Sequence, residues 1–137
     1  MAKIWYFCGI QHTGVMAEHN NTGYWGEELA AAYLEANGYG IMARNWHSGH
    51  RDIDIIAHKS GTVVFVEVKT RRNATFMKPE QAVDARKIRS LSAAAEAYIR
   101  RYKIDADVRF DIITVTGTPE GDHSINHIED AFMPLPY

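Results

Sequence analysis

Two β-branched runs on either side of Ser60-Gly61 constrain this chain more than any other stretch. Asp52 to Lys69 reads Asp-Ile-Asp-Ile-Ile-Ala-His-Lys-Ser-Gly-Thr-Val-Val-Phe-Val-Glu-Val-Lys, the signature of a β-hairpin closed by a short turn. Alternation along a strand puts Asp52 and Asp54 on one face, and Glu67 and Lys69 on one face opposite Val64, Val66 and Val68. With the loop centred on Ser60-Gly61, Asp54 falls opposite Glu67 and Asp52 opposite Lys69. Opposed residues share a face with Cβ atoms about 4.5–5.5 Å apart, a separation at which like charges destabilise a sheet. Two readings follow. One is a cation site, whose hard oxygen donors favour a magnesium-like ion. The other is an exposed polar sheet face holding an ordinary Lys-Asp pair.

At 137 residues the chain fits one domain and can bury a core, and 46% hydrophobic against 23% charged residues makes it globular. No apolar run approaches the ~18–20 residues of a membrane span. Cys8 is the single cysteine, which rules out an intramolecular disulfide and suits a reducing cytoplasm. No Cys/His cluster has zinc spacing, and His47 and His50, near the hairpin, read as loop histidines. The net charge of −2 hides an asymmetry: ten of the fifteen Lys and Arg lie between residues 69 and 103, against three acids. A basic segment beside an acidic site can engage a phosphate backbone, and a solvated helix face has the same composition.

Residues 1–15 lack periodicity and a cleavage site, so a signal peptide is rejected. They are expected to be an N-terminal extension, disordered or non-native, with a single domain over residues 16–137 beginning near Met16. A first helix is expected from Thr22 to Asn37, capped by Asn21 or Thr22 and stopped by Gly38. Glu27, Ala30 and Leu34 share its inward stripe, where a carboxylate needs a partner; an N-terminal dipole role is the plainer account of Glu27. Tyr39–Trp46 reads as a strand, His47–Arg51 as a polar loop, and Arg71–Lys78 as a basic loop beside the hairpin. A second helix is expected over Pro79–Lys103, with Asp84 its weakest point and Ile88, Leu91, Ala95, Tyr98 and Tyr102 its apolar stripe. Val108–Thr116 then forms a strand and Ser124–Ile128 a short edge strand. The resulting fold class is α/β (α+β), with an α-β-β-β-α-β order. The first three strands form an antiparallel meander, and a right-handed crossover returns the fourth parallel to the third. The outcome is a mixed central sheet flanked by helices.

Asp54 followed by Glu67-x-Lys69 on the next strand resembles the signature of the PD-(D/E)xK nuclease superfamily, and the element order resembles its restriction endonuclease-like core. The chain is more closely similar to the YraN-like family of predicted endonucleases, related to archaeal Holliday junction resolvases. The resemblance runs over about residues 17 to 133. It is carried by Gly26-Glu27, Ala43-Arg44-Asn45-Trp46, Asp54-Ile55-Ile56-Ala57, Val64-Phe65-Val66-Glu67-Val68-Lys69-Thr70-Arg71, Pro79-Glu80, Lys87, Arg109-Phe110-Asp111 and His127-Ile128-Glu129-Asp130-Ala131-Phe132. Where the family commonly has Gly-Glu-x-Asp, this chain has Arg51-Asp52-Ile53-Asp54, so a shorter acid stands at the first acidic position.

The resemblance implies Mg2+- or Mn2+-dependent hydrolysis of phosphodiester bonds in DNA, with branched or junction DNA among the substrates. Asp54, Glu67 and the Val68 carbonyl would hold the ion, Lys69 would act on the attacking water or the phosphate, and Glu27 would add a carboxylate. Arg71, Arg72, Lys78, Arg86, Lys87 and Arg89 would contact nucleic acid. By analogy a homodimer is expected, and no membrane association. The alternative is a non-catalytic nucleic-acid-binding module of the same fold, which needs the basic segment but not the acids. A structural protein with an ordinary charge cluster is the third reading.

Overall fold

The computed structural model describes residues 21–73 and 83–136. Its elements run α1 (Asn21–Ala36), β1 (Gly40–Ser48), β2 (Arg51–Lys59), β3 (Thr62–Arg71), α2 (Ala85–Tyr102), β4 (Asp107–Gly117) and β5 (His123–Ile128). The strands form one five-stranded sheet in sequential order. β1, β2 and β3 make an antiparallel meander, β4 returns parallel to β3, and β5 closes the edge antiparallel to β4. The mixed sheet and the element order are therefore those expected from the sequence. The proposed extension over residues 1–15, the Met16 start, Lys78 and the Pro79 helix start lie outside the described residues.

Each helix covers one face of the sheet. α1 lays Ala30, Ala31 and Leu34 on Ile55, Ala57, Val64, Val66, Val68, Ile113 and Val115. α2 lays Leu91, Ala94, Ala95 and Tyr98 on Ile53, Ile56, Phe65, Phe110 and Ile112. Each such side chain taken fully from water contributes about 1.5–3 kcal/mol, which fixes both helices against the sheet. α1 ends in a Schellman arrangement: the Tyr39 N–H donates to the Leu34 carbonyl and the Gly38 N–H to that of Glu35, with Gly38 at φ 89°. α2 begins at Ala85, where Asp84 caps it by accepting from the Lys87 N–H at 3.0 Å. Tyr102, expected on the apolar stripe, is half exposed because it lies at the last turn, past the edge of the sheet.

The hairpin turn is the one expected, and the β1–β2 turn is tighter than the sequence implied. Ser60 and Gly61 both have positive φ, as a two-residue primed turn requires, and they connect Lys59 directly to Thr62. The β1–β2 connection is also only two residues, Gly49-His50. His47, Ser48 and Arg51, expected in a loop, belong to strands.

One irregularity shapes everything that follows. Asn45 takes a left-handed conformation (φ 50°) in the middle of β1, between the pairs Arg44↔Ile55 and Trp46↔Ile53. Asn tolerates this region better than most residues. The kink exchanges the two faces: Ile55 packs beneath α1, whereas Ile53, two residues earlier, packs beneath α2. Strict alternation is broken there between Ile53 and Ile55, the residues on either side of Asp54.

Candidate active site

The β2–β3 ladder runs in the register that the turn dictates, from Lys59↔Thr62 to Ile55↔Val66, and ends there. Beyond Val66, β3 stays paired with β4 as far as Arg71↔Thr116, while β2 stays paired with β1 as far as Arg51↔Ser48. The sheet thus forks, with Asp54 on one prong and Glu67 and Lys69 on the other. Asp54 does not continue the ladder with its backbone. Its carboxylate crosses the gap instead and accepts the Val68 N–H at 2.8 Å. Asp52 does not sit opposite Lys69 as the register arithmetic required, because the fork has already separated their strands; it pairs across β1 with His47.

Glu67 is almost fully buried, its side chain 5% exposed. Its Oε2 lies 3.3 Å from Lys69 Nζ and 3.8 Å from Lys87 Nζ. A buried carboxylate is tolerated only with such partners. Asp54 carries the consequence of the crowding. Burial, then the nearby charge of Glu67, push its carboxyl from 3.8 up to about 8; the Val68 N–H opposes the shift, Glu27 adds to it, and Lys87 opposes it.

α1 reaches the fork because Gly26 lets it. A Cβ at Gly26 would overlap the Thr70 hydroxyl and come 3.1 Å from the Thr70 Cβ, so the bare backbone packs on the end of β3. That approach brings in Glu27, which accepts from the Asn45 amide at 3.3 Å. Its carboxyl is raised mainly by burial, an effect that the Asn45 hydrogen bond and Arg44 oppose. Next to it Glu28 is paired with Arg44 at 2.9 Å.

The expected nucleic-acid contacts divide. Arg72, Arg86 and Arg89 are exposed, and Arg71 is partly so, with its guanidinium donating to the Thr70 carbonyl. Lys87, expected among them, points inward to Glu67 instead. Among the described residues no group of three His, Cys, Asp or Glu converges as a ready metal cage. The carboxylates at the end of the β2–β3 ladder are Asp54 and Glu67, with Val68 next to Glu67 on β3.

A second polar cluster was quoted in the sequence without a role. Asp111 is completely buried in β4. It accepts two bonds from Arg109 at 2.8 Å, one from the Asp130 N–H at 3.0 Å, and stands 2.7 Å from His127 Nε2. Arg109 also donates to the Tyr39 hydroxyl at 2.6 Å, and Tyr33 meets His127 Nδ1 at 3.2 Å. These contacts hold the Asp111 carboxyl below its ordinary value although burial works the other way. The network ties α1, β4 and β5 together on the α1 face, away from Glu67 and Lys69. An acid between Phe110 and Ile112 in an otherwise apolar strand was its signal.

Residues 26–115 match the family described as "Uncharacterised protein family UPF0102". The chain belongs to the UPF0102 family. This is the YraN-like resemblance read from the sequence, and the match spans all of β1, β2 and β3 with the fork between them. The UPF0102 protein of Bacteroides thetaiotaomicron is 53% identical over 119 residues, 87% of this chain and 98% of that protein. The UPF0102 protein of Syntrophomonas wolfei is 43% identical over 111 residues, 80% of this chain and 96% of that protein. Among solved structures, Hjc of Archaeoglobus fulgidus, a Holliday junction resolvase, aligns at 16% identity with a TM-score of 0.41, covering 76% of this chain and 75% of that one.

Proposed function

We propose that this UPF0102 chain is a divalent-metal-dependent nuclease that hydrolyses phosphodiester bonds of DNA at the fork between β2 and β3. One observation carries the reading: where the β2–β3 pairing stops, the Asp54 carboxylate accepts the Val68 N–H of the next strand within reach of the Glu67 charge, with Lys69 3.3 Å from Glu67. Burial first, and the Glu67 charge second, raise the Asp54 carboxyl to about 8, the behaviour of a carboxyl in a confined site beside another acid. The hard oxygen donors of the two acids fit Mg2+ or Mn2+, which bind through one or two carboxylates and keep sites for water and phosphate.

In this reading Asp54 and Glu67 hold the ion, with the Val68 carbonyl as a third donor. A bound divalent ion supplies Lewis-acid polarisation of the phosphate and a more acidic water. Lys69 is placed to orient that water or to balance charge gathering on the phosphoryl oxygens. Glu27, anchored through Asn45, closes the α1 side of the gap. Arg71, Arg72, Arg86 and Arg89 hold the strand on the α2 side by phosphate contacts, which position without reading sequence. The resemblance to resolvases makes branched DNA the first substrate to try.

The test is cleavage of branched and linear DNA with Mg2+ or Mn2+ and with chelator, in the wild type, Asp54→Asn and Lys69→Ala. Metal-dependent cutting lost in both variants supports the proposal. Cutting that survives both means that the fork is not the catalytic centre. Salt-dependent binding without cutting, indifferent to metal, would instead favour the binding module, which the exposed arginines alone could support.

A further inference from the structure

Lys87 stands where an amphipathic helix should carry an apolar residue. Leu91, Ala94 and Tyr98 follow it at spacings of four, seven and eleven, and all three are buried against the sheet. Arg86 and Arg89, one position before it and two after, are exposed. The Lys87 side chain is 35% exposed, and its ammonium stands 3.8 Å from the buried Glu67 carboxylate, which is the group in need of a partner. The position is fixed twice over: the Lys87 N–H is held by the Asp84 cap, and the first turn of α2 is seated by Val83 and Leu91 in the core. Glu67 Oε2 is therefore shared by two ammonium groups, Lys69 from its own strand and Lys87 from the helix.

We propose that Lys87 is a positioning residue of the catalytic centre, holding the Glu67 carboxylate from the α2 side so that Lys69 can leave it for the substrate. This rests on the nuclease reading. One ammonium suffices to balance one buried carboxylate. With both on the same oxygen, Lys69 can turn toward the gap without leaving Glu67 unpaired. In this assignment Lys87, on the stripe of α2 that packs on the sheet, keeps the carboxylate while Lys69 turns to the substrate. The same positive charge opposes an incoming divalent ion, so Lys87 sets ion affinity as well as the aim of Glu67. A residue of the phosphate track would do neither.

Three measurements on the full chain test this, using Lys87→Gln, Lys87→Arg and the track variant Arg86→Gln. The first is calorimetric titration with MgCl2 alone. Lys87→Gln should bind the ion about threefold to tenfold more tightly, because a nearby like charge has gone. The second is single-turnover cleavage at saturating ion. There Lys87→Gln should be slower by about tenfold to a hundredfold, as for groups that orient metal ligands, with DNA affinity nearly unchanged and with the rate recovered in Lys87→Arg. Arg86→Gln should instead weaken DNA binding and leave ion affinity alone. The third is a melting cycle in chelator: Lys87→Gln should lower Tm in the wild type but not in a Glu67→Gln background. Lys87→Gln behaving like Arg86→Gln, or an equal Tm loss in both backgrounds, overturns the assignment while leaving an active wild type intact as a nuclease. A wild type that neither binds magnesium nor cuts DNA sinks the nuclease reading and this assignment with it.

Discussion

Replacing Asp54 by Asn should make the metal-free protein more stable in alkaline solution and useless as a catalyst. The sign follows from linkage. The Asp54 carboxyl titrates at 3.8 unfolded and is pushed up to about 8 in the fold. Its folded form holds the proton more tightly, so stability declines as pH rises from about 4 to about 8 and is level above that. At ~1.36 kcal/mol per pH unit, the full span amounts to about 5–6 kcal/mol. Asp54 is only partly buried, and solvent around it lowers the realised cost to roughly 2–3 kcal/mol. Asn has nearly the same shape, can still accept the Val68 N–H, and carries no charge toward Glu67. At pH 9 in chelator its Tm should exceed that of the wild type by about 5–15 °C, and the two curves should converge as pH falls toward 4. Thermal unfolding followed by circular dichroism from pH 4 to 9 measures it. Adding MgCl2 at pH 8 should raise the wild-type Tm and leave Asp54→Asn unmoved. A Tm difference that is independent of pH, or an Asn variant less stable at pH 9, would refute the electrostatic account of the fork.

Other consequences are quicker to state. Lys69→Ala should lower the cleavage rate by about 10²–10⁴-fold while DNA binding, followed by fluorescence anisotropy, changes only severalfold. Gly26→Ala should cost roughly 1–3 kcal/mol by pushing α1 off Thr70, and Thr70→Ala should recover part of the lost Tm. Asp111→Ala should destabilise by about 3–5 kcal/mol in chemical denaturation, because Arg109 is left without its buried partner. Since the Asp111 carboxyl is held below 3.8, its stabilisation is present above that pH and is lost as pH falls further, so the wild type should show an acid transition that Asp111→Asn lacks.

The hairpin was legible because its causes are local. β-branched runs and a Ser-Gly pair determine strands, turn and register together, and the observed pairs obey that register wherever the ladder exists. The fork was not legible, since register arithmetic extends a ladder indefinitely and has no means of ending it. The ladder ends beside the face exchange at Asn45, a backbone conformation without periodic signal, marked only by a residue type that tolerates it. Hence the opposition of Asp54 to Glu67 was anticipated as neighbours on a ladder, and the molecule has them across a gap. Lys87 was open to a better reading, its spacing to Leu91, Ala94 and Tyr98 being plain in the sequence. It was grouped with Arg86 and Arg89 because charge counting ignores which side of a helix a residue occupies. Asp111 shows the opposite limit. Its oddity in an apolar strand was visible, and Arg109 two residues earlier shares its face, but His127 and the Asp130 N–H come from β5 and the chain after it and reach Asp111 only in the fold.

The end of the β2–β3 ladder at Ile55↔Val66 gives the molecule the mechanics of a pair of callipers. The jaws are the β1–β2 pair, bearing Asp54, and the β3–β4 pair, bearing Glu67, and the pivot is the last shared rung. Each jaw is braced by its own ladder, so a rotation at the pivot would change the spacing of the carboxylates without breaking a strand. The Val68 N–H bond to Asp54 joins the two jaws directly as a latch, and α1 packs across both. The exchange rate of that one amide proton is therefore a gauge of jaw opening, slow when the carboxylates are drawn together and fast when they part.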